Sequence, residues 1–392
     1  MSPPYDYDLL VWADRVLCVA TGLDGPGAVA VRGDRIAAAG ADVDGSARRD
    51  IDIVDGVLMP GLVDLHAHPG NGGPAAATAP SRSRYGIDAD AELLARGTTT
   101  VMSQGDAGAD NWPAYRHDVV DASRTRVRMA LHLSRRGETD PDCPYGSLED
   151  ADVGACVAAI ASDPQLIWGI AMNTSTSIGL DPQAVMERGL QAAEESGTPI
   201  LFGTRMQQDW PLDEQLPLLR PGDVVTYCFN PLVEGAVEAG RLRRSVWEAR
   251  ERGVLFDIGH GMASFSYAVA EPAIGEGFLP DTISSDQYLR HVGSQPQHDL
   301  ALTMSKVIAA GMSERDAVER VTVVPARLLG LEGEVGTLAP GSCADLVVLH
   351  EQPHTPLVDV EGAERIGTLR QAGLVVRAGQ VMAERQEEVR PR

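Results

Sequence analysis

A (β/α)8 barrel joined to a small β-sandwich built from both chain ends is the α/β architecture that this sequence of 392 residues predicts. Three observations carry the prediction. Apolar runs of strand character alternate with helical stretches through the middle of the chain, as repeated βα units require. Both ends have a different texture, with Val/Ile/Leu runs broken by Gly-Asp and Asp-Gly pairs. The length also exceeds the ~250 residues of one barrel and leaves room for a second, smaller unit.

The elements follow in order. Residues 7–58 read as short strands: YDLLVWADRVL, GAVAVRGDRIAAAG and RRDIDIVDGVLMPG. LVDLHAH (62–68) is the first barrel strand. TTTVMS (98–103), VRMALHL (127–133), LIWGIAMN (166–173), PILFG (199–203), DVVTYCF (223–229), GVLFDIG (253–259) and DTISSD (281–286) bring the number to eight. Helical stretches lie between several of them, at 149–162, 181–196 and 238–252. The second of these opens on Asp-Pro and stops at Gly197, as helix ends should. Helices over 297–311 and 313–322 follow the last strand. The β texture then returns at 343–383, in CADLVVLHE and GLVVRAGQVMAE. Residues 1–58 and 334–392 are therefore expected to form a composite sandwich, and 59–333 the barrel.

Composition excludes several classes. A hydrophobic content of 44% with 23% charged residues reads as soluble and globular. The net charge of −23 argues against nucleic acid or an anionic membrane as partner. Basic residues are almost all arginine, and Lys306 is the sole lysine. The five cysteines (Cys18, Cys143, Cys156, Cys228 and Cys343) are scattered without a C-x-x-C pair, which suits reduced thiols in the cytoplasm. The first residues lack the basic and apolar regions of a signal peptide. No run approaches ~18 apolar residues, so no membrane span is expected.

Barrel chemistry sits at the C-terminal ends of the strands. Two of the nine histidines, His66 and His68, fall at that end of the first strand. Their i, i+2 spacing puts both side chains on one face, where two imidazoles can converge on a metal ion.

The stretch MPGLVDLHAH resembles the strand-1 metal motif of the amidohydrolase superfamily. TVVPARLLGLEGEVGTLAPGSCADLVVL (322–349) resembles the segment where those enzymes leave the barrel and re-enter the β-sandwich. GDVVTYCFN, FDIGHGMASFSYAVAE, GFLPDTISSDQY and TMSKVIAAGM resemble the dihydroorotase-like amidohydrolase/deacetylase subgroup. The likeness spans essentially the whole chain and implies a metal-dependent hydrolase of amide, cyclic amide or ester bonds. The family's usual two-metal site has His-x-His on strand 1, a carboxylated lysine on strand 4, one histidine each on strands 5 and 6, and an aspartate on strand 8. Carried over position by position, His66, His68 and Asp286 match. Ala171 stands where the lysine would, Gly203 near the strand-5 histidine and Tyr227 at the strand-6 histidine. Every ligand private to the second ion is gone, along with the bridge. Two imidazoles and one carboxylate remain, a set suited to one divalent ion with open positions for water or substrate. Zinc fits such N2O ligation; iron, manganese or nickel accept the same donors.

The resemblance implies further roles. Asp286 acts as ligand, as general base, or both. His260, in GHG, contacts substrate or moves a proton, or else is a structural loop histidine. Its neighbour Gly261 leaves room for a close approach. Tyr227 hydrogen-bonds a carbonyl or developing oxyanion, or fills the core. Arg205 clamps a substrate carboxylate or is a solvated surface arginine, and Tyr288 binds substrate or is a surface residue. Gln104, Asp106, His132 and Cys228 are the candidates for a further ligand. The expected function is hydrolysis of a C–N or ester bond of a small molecule at a single-metal site. A metal-free acid–base enzyme (lactonase, cyclase or lyase) and a small-molecule-binding pseudoenzyme are the alternatives. Homo-oligomerisation is expected only by analogy with other barrels.

Overall fold

The first β-rich region forms β1 (Tyr7–Cys18), β2 (Leu23–Arg32), β3 (Arg35–Gly40) and β4 (Ala47–Pro60). The middle contributes β5 (Leu62–Ala67), β6 (Thr98–Gln104), β7 (Arg126–His132), β8 (Ile167–Asn173), β9 (Ile200–Gly203) and β10 (Val224–Thr226). A hairpin of β11 (Val237–Glu238) and β12 (Arg241–Leu242) precedes β13 (Leu255–Phe256). The last region gives β14 (Leu346–Val358), β15 (Glu364–Arg377), β16 (Gln380–Glu384) and β17 (Val389–Arg390). The computed structural model describes residues 5–70, 85–139, 145–174, 181–204, 210–232, 235–384 and 389–390.

Strands β5, β6, β7, β8, β9, β10 and β13 lie side by side in chain order, all parallel. Their residues are buried on both faces, as a parallel sheet wrapped by helices requires. Residues 281–287 close the ring. Thr282 bridges Asp257 on one side and Gln287 bridges Ala67 on the other, both parallel. The amide of Asp286 donates to the His66 carbonyl at 2.7 Å, and that of His68 to the Gln287 carbonyl at 3.0 Å. This is the expected TIM barrel, with its eighth stave held by single bridges rather than a ladder.

Other elements shorten for local reasons. The sixth strand stops at Thr226 because Tyr227 turns left-handed (φ 66°). The seventh, expected over 253–259, keeps only Leu255–Phe256; Gly259 and Gly261 lie at φ 52° and 47°. The helix expected from 238 starts at Arg244, because Ala239 (φ 49°) and Gly240 (φ 76°) form the tight turn of the β11–β12 hairpin.

Two apolar layers hold the barrel. Val63, Leu65, Met102, Ala130, Leu201 and Val224 cluster inside it. Leu131, Ile170, Met172, Phe202 and Val225 face outward into the larger core with the helices. The chain ends join as expected, in one eight-stranded sheet ordered β16-β15-β14-β4-β1-β2-β3, with β17 on β4. Leu9, Val11, Val29, Ile51, Leu346, Val348 and Val376 share its core. Asp345, 1% exposed, ties sheet to barrel by accepting from Arg126 at 3.0 Å and Arg377 at 3.2 Å. No helix among the described residues is long and apolar enough to cross a membrane.

Candidate active site

A bulge aims the first strand's histidines. Asp64 pairs with Val101 but Ala67 with Ser103, so three steps along β5 match two along β6. Simple alternation would put Val63 and Leu65 on the face opposite His66. The bulge turns them all inward, the two apolar residues to the barrel floor and the histidines to its C-terminal mouth.

Each imidazole is then fixed through Nδ1. The Thr226 hydroxyl donates to Asp257 Oδ2 at 2.8 Å. It therefore accepts from His66 Nδ1–H, 3.0 Å away. His68 Nδ1 donates to Asp106 Oδ1 at 3.1 Å, while Asp106 Oδ2 accepts from Ser103 at 2.6 Å. Both Nε2 atoms turn to the centre, 3.4 Å (His66) and 3.2 Å (His68) from Asp286 Oδ1. Candidate ligand atoms of the three residues all lie within 4.8 Å of one another. Asp286 sits at φ 47°, and a Cβ on Gly261 would stand 2.3 Å from its Oδ2. Glycine is therefore the residue that leaves room beneath the carboxylate.

The charges are mutually supporting. Burial would lower the His66 pKa, but Asp286 and Asp257 outweigh it and raise it to about 9. Burial is likewise outweighed at His68, which Asp106 and Asp286 hold well above the usual value. The two imidazoles keep Asp286 well below the carboxylate range against its own burial. Asp64 is pushed up to about 7 by burial, although the Ser285 hydroxyl donates to it at 2.5 Å. Asp257 accepts from the hydroxyls of Thr226, Thr282 (2.6 Å) and Ser284 (2.5 Å), which anchors the sixth, seventh and eighth staves to one carboxylate.

Tyr227 faces the site, its hydroxyl 3.4 Å from His66 Nε2. The next residue, Cys228, packs into the outer core, where burial raises its thiol well above the ordinary value and leaves it no nucleophile. Tyr288 lies edge-on to His68 at 6.0 Å and to Tyr85 at 5.6 Å. Arg205 lies outside the described residues. His260 is placed differently from a substrate-facing group. Its Nδ1 donates to the Gly261 carbonyl at 2.7 Å and its Nε2 meets Lys306 Nζ at 3.0 Å, while the ring stacks on Phe265. Ala171 lies on the inward face of β8. At Gly203 a Cβ would stand 1.7 Å from Asn173 Oδ1, so asparagine fills the room that a strand-5 side chain would need.

Of the further-ligand candidates, Asp106 is spent on His68. His132 accepts from the Ser134 amide at 2.9 Å through Nδ1, and burial pushes its pKa down to about 3. Sequence reasoning missed Thr226, Asp257, Asp64 and Lys306. It also missed Glu138, on the turn Gly137–Thr139, whose carboxyl burial pushes up to about 7. Asp64, Thr226, Asp257 and Lys306 lie within the recognised stretches, but nothing in those stretches marks them as partners of the site; only the barrel's closure brings them to it.

A sequence profile of the Amidohydrolase family matches residues 266–375. A deacetylase of Enterococcus faecalis is 30% identical over 369 residues, spanning 92% of this chain and 95% of the relative. A deacetylase of Agrobacterium fabrum is 33% identical, across 82% of this chain and 77% of its own. Among solved structures, an adenine deaminase superposes with a TM-score of 0.84 at 29% identity, covering 96% of this chain and 99% of that one. A dihydroorotase does so with a TM-score of 0.83 at 28% identity, with the same coverage of 96% and 99%.

Proposed function

Because the chain belongs to the amidohydrolase superfamily and is a hydrolase acting on C–N bonds, we propose that it cleaves the amide of a small N-acylated substrate with the help of one divalent ion held by His66, His68 and Asp286. The reading rests on one observation. Both imidazoles are tethered through Nδ1 to buried partners, which leaves both Nε2 atoms converging on the same carboxylate oxygen, where they donate to it without an ion and would ligate an ion that displaced their protons. That donor set suits zinc, with Asp106 and the Thr226–Asp257 pair as orienting partners. A bound ion would acidify water and polarise a carbonyl.

The chain's own groups do the rest. Asp286 accepts the proton that the attacking water sheds as its oxygen bonds to the carbonyl carbon. Tyr227 donates its hydroxyl hydrogen to the carbonyl oxygen as charge grows there. Asp286 then returns the proton to the departing nitrogen, and the C–N bond breaks to leave a carboxylic acid and an amine. The relatives' description as deacetylases supports a short acyl group on that nitrogen.

Elemental analysis of protein purified without added metal tests the reading: close to one equivalent of a divalent ion is expected. Turnover of an N-acyl amino acid panel should fall by a factor of about 10²–10⁴ in Asp286→Asn, on the scale of losing a positioned general base. Metal-free protein with turnover resistant to chelators would instead assign His66, His68 and Asp286 to acid–base chemistry alone. Intact metal binding with no amide hydrolysed would remove the catalytic assignment.

A further inference from the structure

Lys306, the only lysine in the sequence, is buried at 7% exposure on the helix Leu300–Ala309. Its ammonium forms no ion pair among the described residues and points at His260 Nε2, 3.0 Å away. A cation buried without a carboxylate partner is costly, and a methionine would fill the same space without that cost. Burial lowers the amine to about 8, with Asp359 and Asp299 opposing from a distance.

The hydrogen-bond directions run from that amine toward Asp286. Lysine donates, so His260 Nε2 accepts and the ring proton sits on Nδ1. Nδ1–H donates to the Gly261 carbonyl at 2.7 Å. The ring cannot swing away, since it stacks on Phe265 (5.1 Å, 13°) and abuts His298 (4.9 Å). Gly261 in turn donates its amide to the Ser285 carbonyl at 3.0 Å and lies directly beneath Asp286 Oδ2. His298 fixes the same carbonyl from the other side, through Nε2 at 2.8 Å.

We propose that Lys306 is a positioning residue: by fixing the tautomer of His260 it locks the Gly261 turn, and that turn sets the carboxylate of Asp286 with Oδ1 toward His66 and His68. The inference rests on the reading of those three residues as an ion-binding set. Without the amine, His260 Nε2 has no donor, the tautomer is free to change, and the Gly261 carbonyl can lose its bond from His260 Nδ1. Asp286 would keep its place in the chain but lose its fixed orientation.

The test compares wild type, Lys306→Met and Lys306→Arg in three measurements on the full chain. These are zinc affinity of the metal-free protein by chelator competition, thermal stability of that metal-free protein, and 15N chemical shifts of the histidine rings. Lys306→Met should bind zinc about 10–100-fold more weakly, the usual loss when an outer partner of a ligand is removed. Its Tm should be unchanged or higher, and the His260 signal should leave the pure Nδ1–H tautomer. Lys306→Arg, which keeps a donor, should recover much of the affinity. Wild-type zinc affinity in Lys306→Met overturns the inference, as does a loss of affinity accompanied by a matching loss of Tm. Wild-type protein that takes up no zinc would overturn the ion-binding reading instead; the histidine shifts then decide alone, and an unchanged His260 tautomer in Lys306→Met overturns the positioning role.

Discussion

Thr226 links His66 to Asp257, and its hydroxyl decides which imidazole nitrogen carries the proton. Thr226→Val removes that hydroxyl with little change of shape. It should weaken zinc binding or turnover about 10–100-fold, the range for lost outer partners of metal ligands, with chelator competition as the check. Tyr227→Phe removes a donor that is not itself one of the three ligands, though its hydroxyl lies 3.4 Å from His66 Nε2. It should lower kcat by about 10²–10³ and leave zinc content at the wild-type value. His66, His68, Asp286 and Tyr227 were legible in the sequence because each lies at the end of a strand in a recognisable run. Thr226 and Asp106 were not legible as orienting partners. They stand 160 and 38 residues from the histidines they hold, and threonine or aspartate near a strand end carries no signal of its own. His260 was legible as a residue of the mouth but not in its direction, because nothing near it in the chain announces a lysine on a later helix.

Among the elements, the left-handed turns at Tyr227, Gly259, Gly261 and Asp286 end strands early and swing side chains into the mouth. Sequence alternation predicts longer strands because it registers apolar content and not these reversals. Gly261 is the most constrained of them. Gly261→Ala combines a strained φ of 47° with a Cβ 2.3 Å from Asp286 Oδ2, so the carboxylate must move. Zinc affinity should fall by at least tenfold, in keeping with losses on disturbing a ligand's supports, while the far-UV circular dichroism stays that of wild type. The bulge in β5 is the counterpart on the first strand. It was invisible because i, i+2 spacing fixes the two histidines relative to each other, not relative to the residues before them.

At the level of the whole molecule, Asp345 joins Arg126 at the foot of the barrel to Arg377 in the terminal sheet. Asp345→Ala leaves two largely buried guanidiniums without their carboxylate, and should cost about 3–5 kcal/mol in denaturant unfolding, as broken buried pairs do. Acid should also unfold the protein through histidines buried neutral. His132 has its folded pKa depressed to about 3, so the stability it contributes is present above its unfolded pKa and is lost as pH falls through that value. Its share is about 1.4 kcal/mol per pH unit below ~6.5. His132→Asn, which keeps an acceptor for the Ser134 amide, should flatten the acid limb of a stability–pH curve by that amount. The two-part plan was legible because texture differs between ends and middle; the cross-ties were not, because they join residues far apart in the chain.

The ring is sealed where the amide of Asp286 meets the carbonyl of His66. A chain emerging from the ribosome therefore displays His66 and His68 long before Asp286 has been synthesised, and the pocket does not exist until the last stave docks. On the proposed reading, ion capture would follow folding: a nascent chain lacks the third ligand, and loading would be the business of the finished molecule.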